Sequence, residues 1–199
     1  MAFGLHTPTI WYVHGANSTP KSFNYIRDQL PRHVPVDIVY AHNEPLFRVV
    51  DRLVARVATL EGTAPISVIG HSLGGVVALA LAQRSSRVEK VATIAAPFGG
   101  SNVAALMRWL TPCQLFEDIH PSASVISAVS RAAPVRNCLS IVTTAGGTTL
   151  MPEENDGVVS VSSQTSIKGP LYYKTACNHF ECLLSDEVVD LLKDFIFEH

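Results

Sequence analysis

The chain has 199 residues, of which 47% are hydrophobic and 16% charged; this suits one domain with a sizeable core and excludes a disordered chain. The formal net charge is −2 and there is no basic block, which argues against nucleic acid or an anionic membrane surface as a partner. No apolar run is long enough to span a bilayer, and the stretch from Met1 to Pro8 has neither a basic start nor a long apolar core, so no signal peptide is read and a cytoplasmic location is expected.

The predicted elements alternate between strand and helix. Thr9–Val13 reads as a buried strand followed by a glycine turn at His14-Gly15. Ser22–Leu30 reads as a helix ended by Pro31, and Val36–Tyr40 as a strand. From Glu44 to Leu60 the apolar residues Leu46, Val49, Val50, Leu53, Val57 and Leu60 recur near a period of 3.6, which predicts an amphipathic helix. Ile66–Ile69 is a short β-branched strand, Gly74–Arg84 a helix and Val88–Ile94 a strand. Residues 101–137 break the rhythm, with a helical pattern at Val103–Leu110, a Pro-Cys turn and a weaker helix at Ser122–Val129. Leu139–Thr144 resumes as a strand, 145–157 is a Gly- and acid-rich loop, Leu171–Thr175 is the last strand and Asp186–Phe195 the last helix. This alternation implies an α/β fold, a mostly parallel sheet with helices on both faces, in a single domain spanning 1–199.

The four cysteines, Cys113, Cys138, Cys177 and Cys182, show no CxxC spacing, so no zinc site is read and free thiols are expected. Whether Cys177 and Cys182, which flank His179, pair with each other stays open.

Between the third predicted strand and its helix stands Gly70-His71-Ser72-Leu73-Gly74. G-x-S-x-G is weak alone, but the order strand, motif, helix is that of a nucleophile elbow. There a serine projects from the end of a sheet at a helix N-terminus, where amides and the helix dipole favour developing negative charge. The structural alternative is a tight strand–helix turn with a serine of no chemical role. A serine hydroxyl is a poor nucleophile without a base and an acid to orient it. Outside the extreme C-terminus only His120 and His179 follow Ser72; His179 falls in the loop after the last strand and is the stronger candidate base. Asp156, after the strand Leu139–Thr144 and before Gly157, is the candidate acid; Glu153 and Glu154 are alternates and Asp118 a weaker one, while Asp-Gly is also ordinary turn chemistry. An oxyanion hole needs two amides: one at Leu73, after the nucleophile, and one in the loop after the first strand, assigned to Ala16. His14 and His71 are read as structural.

These residues resemble the α/β-hydrolase superfamily, and within it the small lipases and esterases related to triacylglycerol lipases and to the GPI inositol-deacylase-like group. The resemblance rests on Val13-His14-Gly15, Gly70–Gly75, Ala96-Pro97-Phe98-Gly99-Gly100-Ser101, Asn155-Asp156-Gly157-Val158-Val159 and Asn178-His179. It implies the α/β-hydrolase fold with its N-terminal strands reduced and with 101–137 as a small helical cap or lid. It also implies hydrolysis of a carboxylic ester through an acyl-enzyme, with catalytic Ser72, Asp156 and His179, and with Leu73 and Ala16 holding the oxyanion. No cofactor and no metal are implied. The substrate would be a small ester or lipid with a short to medium acyl chain, against a pocket drawn from Val103, Leu106, Met107, Trp109, Leu110, Leu115, Phe116 and Ile119. Thioesterase, amidase or acyltransferase chemistry on the same fold, or a non-catalytic binding module, are the alternatives. Oligomeric state is not legible.

Overall fold

Strand β1 (Thr9–Val13) sends Trp11 and Val13 into one hydrophobic cluster and Ile10 and Tyr12 into another, as the two-residue period of a strand buried on both faces requires. The structure is a computed structural model that describes residues 7–41, 43–101, 118, 120, 123–147 and 151–198. With β1 stand β2 (Val34–Ile38), β3 (Ile66–His71), β4 (Val88–Ile94), β5 (Cys138–Thr143) and β6 (Leu171–Thr175), in the order β2-β1-β3-β4-β5-β6. Every neighbouring pair runs parallel, so the chain must cross back between strands, and helices supply most of those crossings.

The helices are α1 (Asn24–Gln29), α2 (Leu46–Ala58), α3 (Leu73–Arg84), α4 (Ser124–Arg131), the single turn α5 (Val161–Gln164) and α6 (Asp186–Phe197). Helices α2, α3 and α4 pack on the Trp11 face of the sheet, and α1 and α6 on the Tyr12 face. Helix α2 buries Leu46, Val49, Val50, Leu53 and Val57, the predicted apolar stripe, and turns Arg48, Arg52 and Arg56 outward. Helix α3 is buried along nearly all of its length, from Leu73 to Leu81, because the sheet lies on one side and α2 and α4 on others. Its Ala/Leu/Val composition without an amphipathic period is what that position demands.

Several boundaries differ from the sequence reading. Strand β2 starts earlier than Val36, since Val34 donates its N–H to the Pro8 carbonyl at 2.8 Å, and stops at Ile38 because Tyr40 leaves the sheet to stack on His14. The helix expected over 22–30 begins as a 3-10 turn at Pro20–Phe23 before α1. Helix α2 starts two residues later than Glu44 at a Pro45 cap that has no side-chain bond of its own; the Asp118 carboxylate accepts the Leu46 N–H instead, at 2.8 Å. A negative charge at a helix N-terminus is favourable, so Asp118, weighed above as an alternate acid, has a place as a cap. The weak helix lies at Ser124–Arg131 rather than 122–129. The helix expected at Val103–Leu110, the Pro-Cys turn with Cys113, and all eight apolar residues proposed for the pocket fall outside the described residues. Cys138, Cys177 and Cys182 are free thiols. No helix among the described residues is long and apolar enough to cross a membrane.

Candidate active site

Ser72 follows β3 directly and is the residue before α3, at φ 52° and ψ −124°. This is a sparsely populated region for any residue with a side chain and carries local strain. The surrounding backbone holds it there: the Ser72 N–H donates to the Ile94 carbonyl at 2.8 Å and the Ser72 carbonyl accepts the Gly75 N–H at 2.9 Å. Glycine at position 74 lets the elbow close. A Cβ on Gly74 would stand 2.0 Å from the Val13 carbonyl oxygen and 2.5 Å from that of His14, so the start of α3 lies directly on the end of β1.

The loops at the carboxyl end of the sheet bring the other groups in, the edge where open α/β sheets bind their ligands. His179 sits after β6, and its Nε2 lies 3.0 Å from Ser72 Oγ. Its Nδ1 lies 2.7 Å from Asp156 Oδ2. All three side chains are buried. An ionised carboxylate only accepts, so Nδ1 carries the proton and Nε2 is left with the lone pair that the serine hydroxyl meets. A buried base of this tautomer can take the Ser72 proton.

Asp156 is saturated. Oδ2 also accepts the Thr143 hydroxyl at 2.6 Å, and Oδ1 accepts the Val158 and Val159 N–H groups at 2.9 and 2.7 Å. Burial works to raise its pKa, but the hydrogen bond and charge of His179, with the bonds from Thr143 and Val159, outweigh it and hold the carboxyl below the ordinary aspartate value. The turn that presents it is clamped from two sides. Gly146 N–H donates to the Asn155 carbonyl at 2.8 Å, and a Cβ on Gly146 would fall 1.8 Å from the Gly157 nitrogen. Asn155 closes the turn by accepting the Gly157 N–H on Oδ1 at 2.8 Å and donating Nδ2–H to the Glu153 carbonyl at 2.7 Å.

Sequence reasoning missed three supports. Thr143, the last residue of β5, gives its one hydroxyl proton to Asp156. The buried Gln164 of α5 holds the Thr143 backbone with both ends of its amide, Oε1 on the N–H and Nε2 on the carbonyl, each at 2.9 Å. Phe180 meets the His179 ring edge-on at 5.2 Å between centroids and is 67% exposed, so an apolar edge faces solvent beside His179. Thr143 was within reach as a polar residue ending a buried strand; Gln164 and Phe180 carry no pattern.

Leu73 is the first residue of α3, where the amides of the opening turn lack partners within the helix. Ala16 lies in the turn after β1, next to Gly15, whose Cβ position would be 3.0 Å from Ser72 Cβ. That turn is fixed by His14, which stacks on Tyr40 at 4.4 Å, has Nδ1 2.9 Å from the Gly15 carbonyl, and accepts the Tyr40 hydroxyl on its own carbonyl. The alternates lie elsewhere: Glu154 pairs with Lys174 at 2.8 Å on the surface, and Glu153 is exposed. His120 is half-buried and lies shortly before α4. No group of three or more His, Cys, Asp or Glu that could hold a metal occurs among the described residues.

The family model of the alpha/beta hydrolase family matches residues 12–153, well over half of the sequence. The chain belongs to the alpha/beta hydrolase family. The matched span runs from the end of β1 through the elbow and stops short of Asp156 and His179. No curated protein is matched in sequence. Among solved structures, this alpha/beta hydrolase is similar to the mature form of Bacillus licheniformis lipase BlEst2, with TM-score 0.76 and 16% identity over 94% of this chain and 91% of that one. It is also similar to the metagenomic carboxyl esterase MGS0156, with TM-score 0.69 and 18% identity over 88% of this chain and 65% of that one. A lipase-esterase related protein from Clostridium acetobutylicum matches with TM-score 0.66 and 15% identity over 96% of both chains. At such identities the likeness is one of fold.

Proposed function

We propose that the protein is a serine hydrolase that cleaves carboxylic esters through an acyl-enzyme. The observation that carries this reading is the buried row Ser72–His179–Asp156, with 3.0 and 2.7 Å contacts and the base in the tautomer that accepts a proton. Ser72 Oγ attacks the ester carbonyl carbon as His179 Nε2 takes the hydroxyl proton, and Asp156 stabilises the imidazolium that forms. The Leu73 and Ala16 amides receive the oxyanion. Collapse of the tetrahedral intermediate breaks the bond to the alcohol, which leaves with the proton from His179. A water then attacks the acyl group by the same route, giving the carboxylic acid and free Ser72. In this reading residues 1–199 form one domain, with 101–137 as its cap.

The substrate class is an ester or lipid with an apolar acyl chain of short to medium length, a choice that the exposed Phe180 edge beside the base supports. A panel of p-nitrophenyl esters of increasing chain length tests it: hydrolysis should rise from acetyl to medium chains, and activity confined to acetyl would overturn the substrate class.

The pH dependence follows from the row. The reaction needs the Nε2 lone pair of His179 free to take the Ser72 proton. Asp156 has a depressed pKa in the folded state. Its contribution to stability is therefore present above the ordinary aspartate pKa and is lost only as pH falls through the depressed value. The melting temperature should therefore hold down to the ordinary aspartate range and drop below it, which a melting profile across acid pH reads out.

A further inference from the structure

His71 is buried between the elbow and the loop of the base. Its Nε2 lies 2.8 Å from the carbonyl oxygen of His179, 108 residues away, and the two rings are 5.0 Å apart. A carbonyl only accepts, so Nε2 carries the proton and Nδ1 the lone pair. Nδ1 is buried without a hydrogen-bond partner, and a Cβ on Gly15 would be 3.3 Å from it. Burial and the neighbouring His179 push the His71 pKa down to about 3, so the ring stays a neutral donor wherever the enzyme works. Packing alone would be served better by an apolar ring, which leaves no buried nitrogen unpaired.

We propose that His71 is a positioning residue for the reaction: its Nε2–H, donated to the His179 carbonyl, sets the base against the nucleophile. This rests on the reading of Ser72 and His179 given above. His71 and Ser72 are consecutive, so the tether closes a small ring that runs from the Ser72 backbone through the His71 side chain, the His179 carbonyl and the His179 imidazole back to Ser72 Oγ. The rest of the His179 backbone is held by the acid, since its N–H donates to the Asp156 carbonyl at 3.0 Å. Among the described residues the His179 carbonyl also accepts from Cys182 Sγ at 3.2 Å, and a thiol is a weak donor. Without His71 the carbonyl side of the base is left to that thiol, while Asp156 holds its N–H and Nδ1.

Three variants separate the donor from the bulk. In His71→Gln the side-chain amide nitrogen is as many bonds from the backbone as Nε2 and can replace the donor. His71→Asn is too short, and His71→Phe keeps the ring without a donor. The glutamine variant should retain most of the native kcat. The other two should lose on the order of 10- to 100-fold in kcat with KM little changed, as expected when reacting groups are misplaced rather than substrate binding weakened. Equal kcat in the phenylalanine variant and the native protein, or a glutamine variant as poor as the asparagine one, overturns the proposal.

The native protein supplies a readout that does not depend on how the variants fold. Long-range 1H–15N spectra of histidine-labelled protein should show His71 protonated on Nε2, bare on Nδ1 and unchanged over roughly pH 5 to 8. A proton on Nδ1, or titration in that range, overturns it equally. Fluorophosphonate labelling of the native Ser72 separates the two levels: a labelled serine with a wrong His71 tautomer sinks only the tether, whereas no labelling sinks the reading beneath it.

Discussion

Replacing Ser72 by alanine is expected to lower the kcat of ester hydrolysis by about 10⁶-fold. The hydroxyl is the group that His179 Nε2 meets at 3.0 Å, and alanine offers neither a nucleophile nor a proton to transfer. The fold should survive. The backbone N–H and carbonyl of residue 72 are both held by backbone partners, and alanine meets the same left-handed φ as serine, so the strain at the elbow is unchanged. The variant should be purified in soluble form and melt cooperatively. Measuring kcat with a medium-chain ester alongside a melting curve checks both halves. Turnover within tenfold of the native protein would move the nucleophile elsewhere.

Asp156→Asn should cost about 10⁴-fold in kcat, and the reason lies in the carboxylate's four donors. Oδ2 accepts from His179 and Thr143, and Oδ1 from Val158 and Val159. Asparagine replaces one oxygen with an amino group that donates. With the amino group toward His179, the imidazole must switch tautomer to accept on Nδ1; Nε2 then carries a proton and cannot take the one from Ser72. With it toward the turn, two backbone N–H groups face a donor and the turn itself is disturbed. Each buried group left without its partner costs about 1–3 kcal/mol, so this variant, unlike Ser72→Ala, should also melt at a lower temperature. The test is kcat together with thermal melting. A silent substitution would shift the role of the acid to Glu153 or Glu154, although Glu154 is engaged with Lys174.

The parts of this molecule that were legible in the sequence are those where burial imposes a period or where chemistry needs a residue at a fixed place in the chain. β1 and β3 are covered on both faces and so read as mostly apolar runs without a polar alternation; α2 is covered on one face and reads as a stripe. Ser72, Asp156 and His179 could be picked out because each follows a strand, in the order expected of a nucleophile elbow and its partners. What was hidden depends on distant partners. Gln164 acts on Thr143, 21 residues away, and Asp118 caps a helix 72 residues away; neither the Ser-rich stretch around Gln164 nor the residues next to Asp118 carry a sign of so distant a partner. The start of β2 was missed because an edge strand is half exposed, with Val34 and Pro35 open to solvent, so no hydrophobic pattern marks it. His71 was read as packing because its partner, the carbonyl of His179, is a backbone atom, and sequence patterns do not point to backbone atoms.

The central claim is that Ser72 is an activated nucleophile, and labelling with a fluorophosphonate, read by intact mass on the native protein and on Ser72→Ala, tests it most directly. A single adduct on the native chain that disappears in the variant is the predicted result, because only a serine whose proton can pass to a base reacts with such a probe. No adduct on the native chain, or an adduct that persists in Ser72→Ala, would contradict the account.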